Sequence, residues 1–147
     1  MDAEEYVREH DLDVLMEDAL RLGGASKGKD GASFLAEYFR SVESGTHVLG
    51  RELAFLAACP TNRTAAVAAW ESTYAALIED HQSVSQSDLG LLLSRLFGVE
   101  CGADLAASVF EVSCDVGGSV GGDEKVGLES VASMMSQALE AKARSQG

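Results

Sequence analysis

Apolar residues recur through most of this chain at three- and four-residue intervals, the spacing that lines up one face of an α-helix. From about Glu4 to Leu22, the residues Leu12, Leu15, Ala19 and Leu22 share one stripe, and acidic side chains fill the first turns, where the helix dipole favours them. The run GGASKGKDG, Gly23 to Gly31, holds too much glycine to continue that helix and reads as a flexible turn. Phe34, Leu35, Tyr38, Phe39 and Val42 then give a second helix a broad aromatic face, which Ser44 and Gly45 end. A third helix is expected from about Thr46 to Ala58, with Leu49, Leu53 and Leu56 on one side. Pro60 forbids its continuation, and Thr61 or Asn62 can cap a fourth, whose inner face carries Val67, Trp70, Tyr74 and Leu77.

The pattern lapses around His81 to Ser87, where Ser85-Gln86-Ser87-Asp88 reads as a variant capping box. Helix five follows with Leu89, Leu92, Leu93, Leu96 and Phe97 and stops near Gly98, and helix six resumes from about Ala103 with Leu105, Val109 and Val112. A glycine-rich loop, Asp115 to Lys125, precedes a seventh helix carrying Leu128, Val131, Met135, Ala138 and Leu139. The pattern predicts an all-α fold of about seven helices with no clear strand candidate. Residues 1–60 form a helical hairpin and third helix, 61–142 a second helical region, and 143–147 a frayed tail. Trp70, the sole tryptophan, is expected at the centre of the core.

Two features of the second region carry a motif. Helix, acidic loop and then Val126-Gly127-Leu128-Glu129-Ser130 is the outline of an EF-hand, in which an apolar residue at loop position eight pairs with its counterpart in a neighbouring loop. Taking Val126 as that residue puts Ser119, Gly121 and Asp123 at the first three ligand positions and Ser130 where a bidentate glutamate should close the site. Starting the loop at Asp115 makes it several residues too long. A partner unit has Val84 at position eight, Leu77 at the first ligand position and Asp88 at the closing one. The expectation is a degenerate helix-loop-helix pair kept for shape, with no metal and no cofactor; a calcium-responsive regulator is the alternative.

Composition narrows the functions. With 46% hydrophobic and 24% charged residues the chain falls in the ordinary globular range. No apolar run approaches the ~18 residues of a membrane span, and the acidic start differs from a basic leader. A net charge of −13 opposes binding to nucleic acid, anionic lipid or acidic tubulin tails, so partners should be basic or bind through apolar surface. Cys59, Cys101 and Cys114 are widely spaced and include no CxxC pair, which fits reduced thiols in the cytoplasm. The GGSVGG segment lacks the Lys-Ser or Lys-Thr of a phosphate loop. With no Ser/His/Asp set, HExxH pair or GxSxG elbow, the chain is read as a non-catalytic, protein-binding module.

The stretch YVREHDLDVLMEDALRL, with the loop after it and FLAEYF, resembles the dimerisation/docking hairpin of the type II regulatory subunit of protein kinase A. A longer match runs through VLMEDAL (Val14 to Leu20), EYFRSVESGTHVLGRELAF (Glu37 to Phe55), PTNR (Pro60 to Arg63) and Trp70. Together these resemble the centriolar satellite-associated tubulin polyglutamylase complex regulator family, in the same order and nearly the same spacing. Gly45-Thr46-His47 and Arg51-Glu52 are the least generic parts. The resemblance implies a non-catalytic adaptor of a tubulin-modifying or axonemal complex, placed at the centrosome, centriolar satellites or cilium. The docking resemblance implies a homodimer, or capture of an amphipathic helix of an axonemal partner. This chain departs from the family in lacking its long polar C-terminal extension and in having Gly50 within the best-matched segment. Candidate partner contacts are Leu12, Leu15, Leu22, Tyr38 and Phe39 on the hairpin and His47, Arg51 and Glu52 on the third helix. With residues 47 and 51 one turn apart, that last trio forms either a polar network between helices or a partner contact.

Overall fold

The computed structural model describes residues 2–25, 30–117 and 125–146, and of residues 24–25 and 114–117 the backbone alone. Among the described residues the fold is all-α apart from one two-stranded ribbon. The N-terminal part holds α1 (Ala3–Glu9), α2 (Leu12–Ala25), α3 (Gly31–Ser44), a single 3-10 turn (Thr46–Val48) and the short α4 (Leu53–Ala57). The remainder holds α5 (Pro60–Thr73), α6 (Ala75–Glu79), β1 (Ser83–Ser85), α7 (Gln86–Phe97), α8 (Val99–Gly117), β2 (Lys125–Gly127) and α9 (Leu128–Gln146). No helix among the described residues is long and apolar enough to cross a membrane.

Local chemistry sets most of these boundaries. Asp2 and Asp30 accept backbone N–H bonds at the starts of α1 and α3, and the Ser85 hydroxyl does the same for Asp88 at the start of α7. Gly45 closes α3 in the left-handed region at φ 76°, its amide returning to Ser41 and Val42 carbonyls. Gly45→Ala should therefore cost about 1 kcal/mol through backbone strain, read as a lower urea midpoint with an unchanged slope.

Several expected helices are interrupted, each for a visible reason. The first breaks at His10 and Asp11, where Asp11 takes φ 54°. Its carboxylate reaches the start of α5, accepting from the Thr61 amide at 3.1 Å and hydroxyl at 2.7 Å. That cap is needed because Cys59, the residue at the N-cap position, makes no side-chain cap bond there. The expected third helix, Thr46 to Ala58, is instead a 3-10 turn, a non-helical stretch through Glu52, and α4. Gly50 turns the chain at φ 68°, and its amide donates to the Leu96 carbonyl at the end of α7. The fourth helix stops at Tyr74, whose hydroxyl donates to the Leu92 carbonyl, so Leu77 lies beyond the break and is exposed. Helix α8 begins at Val99 rather than Ala103, since Gly98 alone makes the joint with α7. The tail expected to fray continues α9 through Gln146.

The apolar residues gather into two clusters. A small one joins α2 to α3 through Leu15, Ala19 and Tyr38, with Phe34, Leu35, Phe39 and Val42 packed around it. The large one unites α5 with α7, α8 and α9 around Trp70, Leu93, Leu105 and Met135, all fully buried. Val48, Phe55, Leu56 and Ala57 belong to this second cluster. The core thus divides near Gly45, and the segment that follows bridges its two parts, the 3-10 turn touching α3 and Arg51 reaching α2 while Val48, Phe55, Leu56 and Ala57 pack with the C-terminal helices.

Candidate functional site

The ribbon is the first part of the site. β1 and β2 pair antiparallel with Val84 opposite Val126, the position-eight pairing that the loop alignment predicts. The Leu128 amide extends the ladder to the Gln82 carbonyl at 2.8 Å. Strands, for which the hydrophobic pattern offered no candidate, are therefore present as two three-residue segments. Each is too short to give a readable alternation.

This pairing joins two helix-loop-helix units, α5–α6 with α7 and α8 with α9, as in an EF-hand lobe. The described ligand positions do not suit a cation. Leu77, which has no donor atom, stands at the first position of the first loop, and the closing position holds the shorter Asp88 in place of a glutamate, its amide bound to the Ser85 hydroxyl at the start of α7. Ser130 is exposed in the first turn of α9; the Asp115 side chain, Ser119 and Asp123 lie outside the described residues. Among the described residues no three His, Cys, Asp or Glu side chains converge to hold a metal. In place of a ligand set, His81 at φ 54° pairs through Nδ1 with the Glu129 carboxylate, linking the first loop to the start of α9.

The second part is the segment from Thr46 to Ala57, held by two polar clamps. Arg51 forms a bidentate pair with Asp18 on α2, at 3.0 and 2.5 Å, and its guanidinium lies 3.8 Å from the Phe55 ring centroid. The Tyr38 hydroxyl donates to the same carboxylate at 2.7 Å. Asp18 is 1% exposed. Burial pushes this carboxyl up, but the Arg51 and Tyr38 hydrogen bonds and the Arg51 charge outweigh it, and Asp18 sits below its ordinary value. Burial and the Asp18 hydrogen bond push Tyr38 far up, so it remains a neutral donor.

His47 forms the second clamp. Its Nε2 lies 2.7 Å from Asn62 Oδ1, and Asn62 Nδ2 donates to the Phe55 carbonyl at 2.9 Å. Asn62 thereby fixes the hydrogen on His47 Nε2, because an amide oxygen can only accept. His47 and Arg51 are thus not neighbours on one helix, as their spacing suggested: each reaches a different element.

Of the candidate partner contacts, Leu15 and Tyr38 are buried within the hairpin, and Leu12 and Phe39 are half-buried. Leu22 is exposed, together with Met16 and Leu20 on the same helix. His47 is buried, Arg51 half-buried in its ion pair, and Glu52 exposed. Asp11, Asp18 and Asn62 were not among the candidates. Asp18 had a signal: it follows Leu15 by three residues and precedes Leu22 by four, so it shares their stripe.

Cys59 and Cys101 are buried, and burial raises both thiols, Cys101 to about 11. Both should resist iodoacetamide at about pH 8 and react once the chain is unfolded in guanidinium, which peptide mass spectrometry can read.

Compared with protein-family models, with curated proteins and with solved structures, the chain matches none.

Proposed function

We propose that this protein is a non-catalytic adaptor: a helical hairpin fused to an EF-hand-like lobe kept for its shape, which binds other proteins. The observation that carries the reading is the combination of the Val84–Val126 lock with loop positions that do not suit a cation. The geometry of a sensor lobe is retained at a place where its chemistry is not. The exposed Met16, Leu20 and Leu22 on α2 add apolar surface.

The complex served, in this proposal, is a tubulin-modifying or axonemal one, with glutamate ligation carried out by another subunit. The sequence resemblance from Tyr6 to Trp70 supports it. The net charge of −13 makes direct contact with acidic tubulin tails unfavourable, so the association runs through other subunits. Affinity purification of the tagged full chain from ciliated cells, followed by mass spectrometry, tests this. Recovery of tubulin ligase subunits supports it, and their absence among reproducible partners overturns the assignment. Calorimetric titration adds an independent check, since micromolar calcium binding would make the lobe a sensor.

A further inference from the structure

The hairpin and the lobe have separate cores, and little apolar packing joins them. Among the described residues, Leu15, Ala19 and Tyr38 are the buried apolar residues of the hairpin, and they belong to a different cluster from Trp70 and its neighbours. α1 packs on α2, α2 on α3 and α3 on the 3-10 turn that follows it, while none of the three packs extensively on α5, α7, α8 or α9. α1 itself buries no residue. Between α2 and α4 runs a groove of about 300 Å³, walled by Val14 and Arg21 on one side and by Ala54, Phe55 and Ala58 on the other. Side chains of a continuous core would fill that space.

What holds the hairpin in place is polar. Asp18 on α2 takes the Arg51 fork at 3.0 and 2.5 Å, and Asp11 caps α5 through the Thr61 amide and hydroxyl at 3.1 and 2.7 Å. Asp11 does so from left-handed backbone, φ 54°, which a residue with a Cβ seldom adopts. The chain passes from hairpin to lobe at Gly45, φ 76°, where glycine turns without that strain. Beneath the hairpin lies Cys59, 3% exposed, with the Asp11 carboxylate and the Tyr38 hydroxyl near enough to act on its thiol.

We propose that α1, α2 and α3 form a lid that leaves the lobe as one unit, turning at Gly45, and that its opening bares Arg51, Cys59 and the start of α5. Three buried residues are too few to keep three helices together in water, so the lid unfolds as it leaves. The lobe outlasts it on a core of its own. Opening removes both carboxylates and leaves the Arg51 guanidinium and the Thr61 amide without their acceptors. Closed and open chains thus present different surfaces, and the Asp18–Arg51 and Asp11–Thr61 ties set the balance between them.

The full chain tests this by native-state hydrogen exchange in low urea, with the slow iodoacetamide labelling of Cys59 followed in parallel by peptide mass spectrometry. The amides of Leu15, Ala19 and Tyr38 and the Cys59 thiol should share one opening. It should be commoner than that of Val109 and Phe110 in α8 and depend less on urea, because it exposes less surface. Arg51→Lys keeps the charge but loses the fork, and should make the shared opening about tenfold commoner. Met135→Ala, in the lobe core, should speed exchange of Val109 and Phe110 by about thirtyfold or more. It should leave the hairpin amides and Cys59 unchanged, since the closed and the lid-open chain lose the same contacts. If the hairpin amides and Cys59 speed up in step with α8 in that variant, or share its urea dependence in the native chain, opening is global and the lid falls. Exchange of Leu15 and Ala19 with Cys59 still protected, or a shared opening indifferent to Arg51→Lys, also overturns it.

Discussion

Arg51→Ala should destabilise the chain by about 3–5 kcal/mol, because it strands a buried carboxylate. Asp18 is 1% exposed and would keep only the Tyr38 hydroxyl as a partner. Asp18→Ala should cost less, since Arg51 is half-buried and its guanidinium can recover water. The double variant should fall well short of the sum of the two, and urea unfolding of all four proteins closes the cycle. The pH dependence gives a second readout. In the native chain the folded Asp18 value lies below 3.8, so its contribution is present above about that pH and is lost as pH falls through the folded value. In Arg51→Ala the burial effect is opposed only by the Tyr38 hydrogen bond and the Arg21 charge, so the folded value rises relative to that of the native chain. The variant therefore loses less stability on acidification than the native chain does. The gap in stability between the two proteins should therefore narrow on acidification below about pH 4. A gap that is constant with pH would place the effect outside this ion pair.

The second large effect concerns two glycines on one helix seam. A Cβ built on Gly102 of α8 would lie 2.5 Å from the Ser94 backbone nitrogen and 2.7 Å from its Cα, so the helices must separate to accept it. Gly102→Ala should cost about 3 kcal/mol, the upper end for overpacking, because backbone cannot rotate out of the way. A Cβ on Gly90 of α7 would meet the Ala106 Cβ at 3.8 Å, an ordinary contact. Gly90→Ala should instead stabilise by about 0.5–1 kcal/mol, through the lower entropy of the unfolded chain and the better helix propensity. Thermal unfolding of the two variants should move the midpoint in opposite directions.

Both effects depend on contacts between elements, and this is where reading the chain alone reaches its limit. The stripes Leu89, Leu93 and Phe97, and Leu128, Val131, Met135 and Leu139, put every one of these residues in the core. Such faces are legible because each follows from period within one helix. The Val84–Val126 pairing was legible for a different reason: two loops of the same outline must align at the same position. The interruptions were not. Asp11 leaves helical geometry to cap a helix that starts 49 or 50 residues away, and Gly50 gives its amide to Leu96. No window of neighbouring residues contains either partner.

The N-terminal site residues divide along the same line. His47 and Arg51 stood out by type and position, yet four-residue spacing suggested one shared helix face. Their partners proved to be Asn62 on α5 and Asp18 on α2. By itself the sequence determined the helices, the buried stripes, the paired loops and the acidity, since each is a property of local period or of summed composition. The tertiary structure alone decided that the segment Thr46–Ala57 bridges the two parts, with Arg51 tied to α2 while Val48, Phe55, Leu56 and Ala57 join the core of the C-terminal helices. That choice rests on which apolar faces meet and which distant polar groups satisfy one another, and neither is written within any one helix.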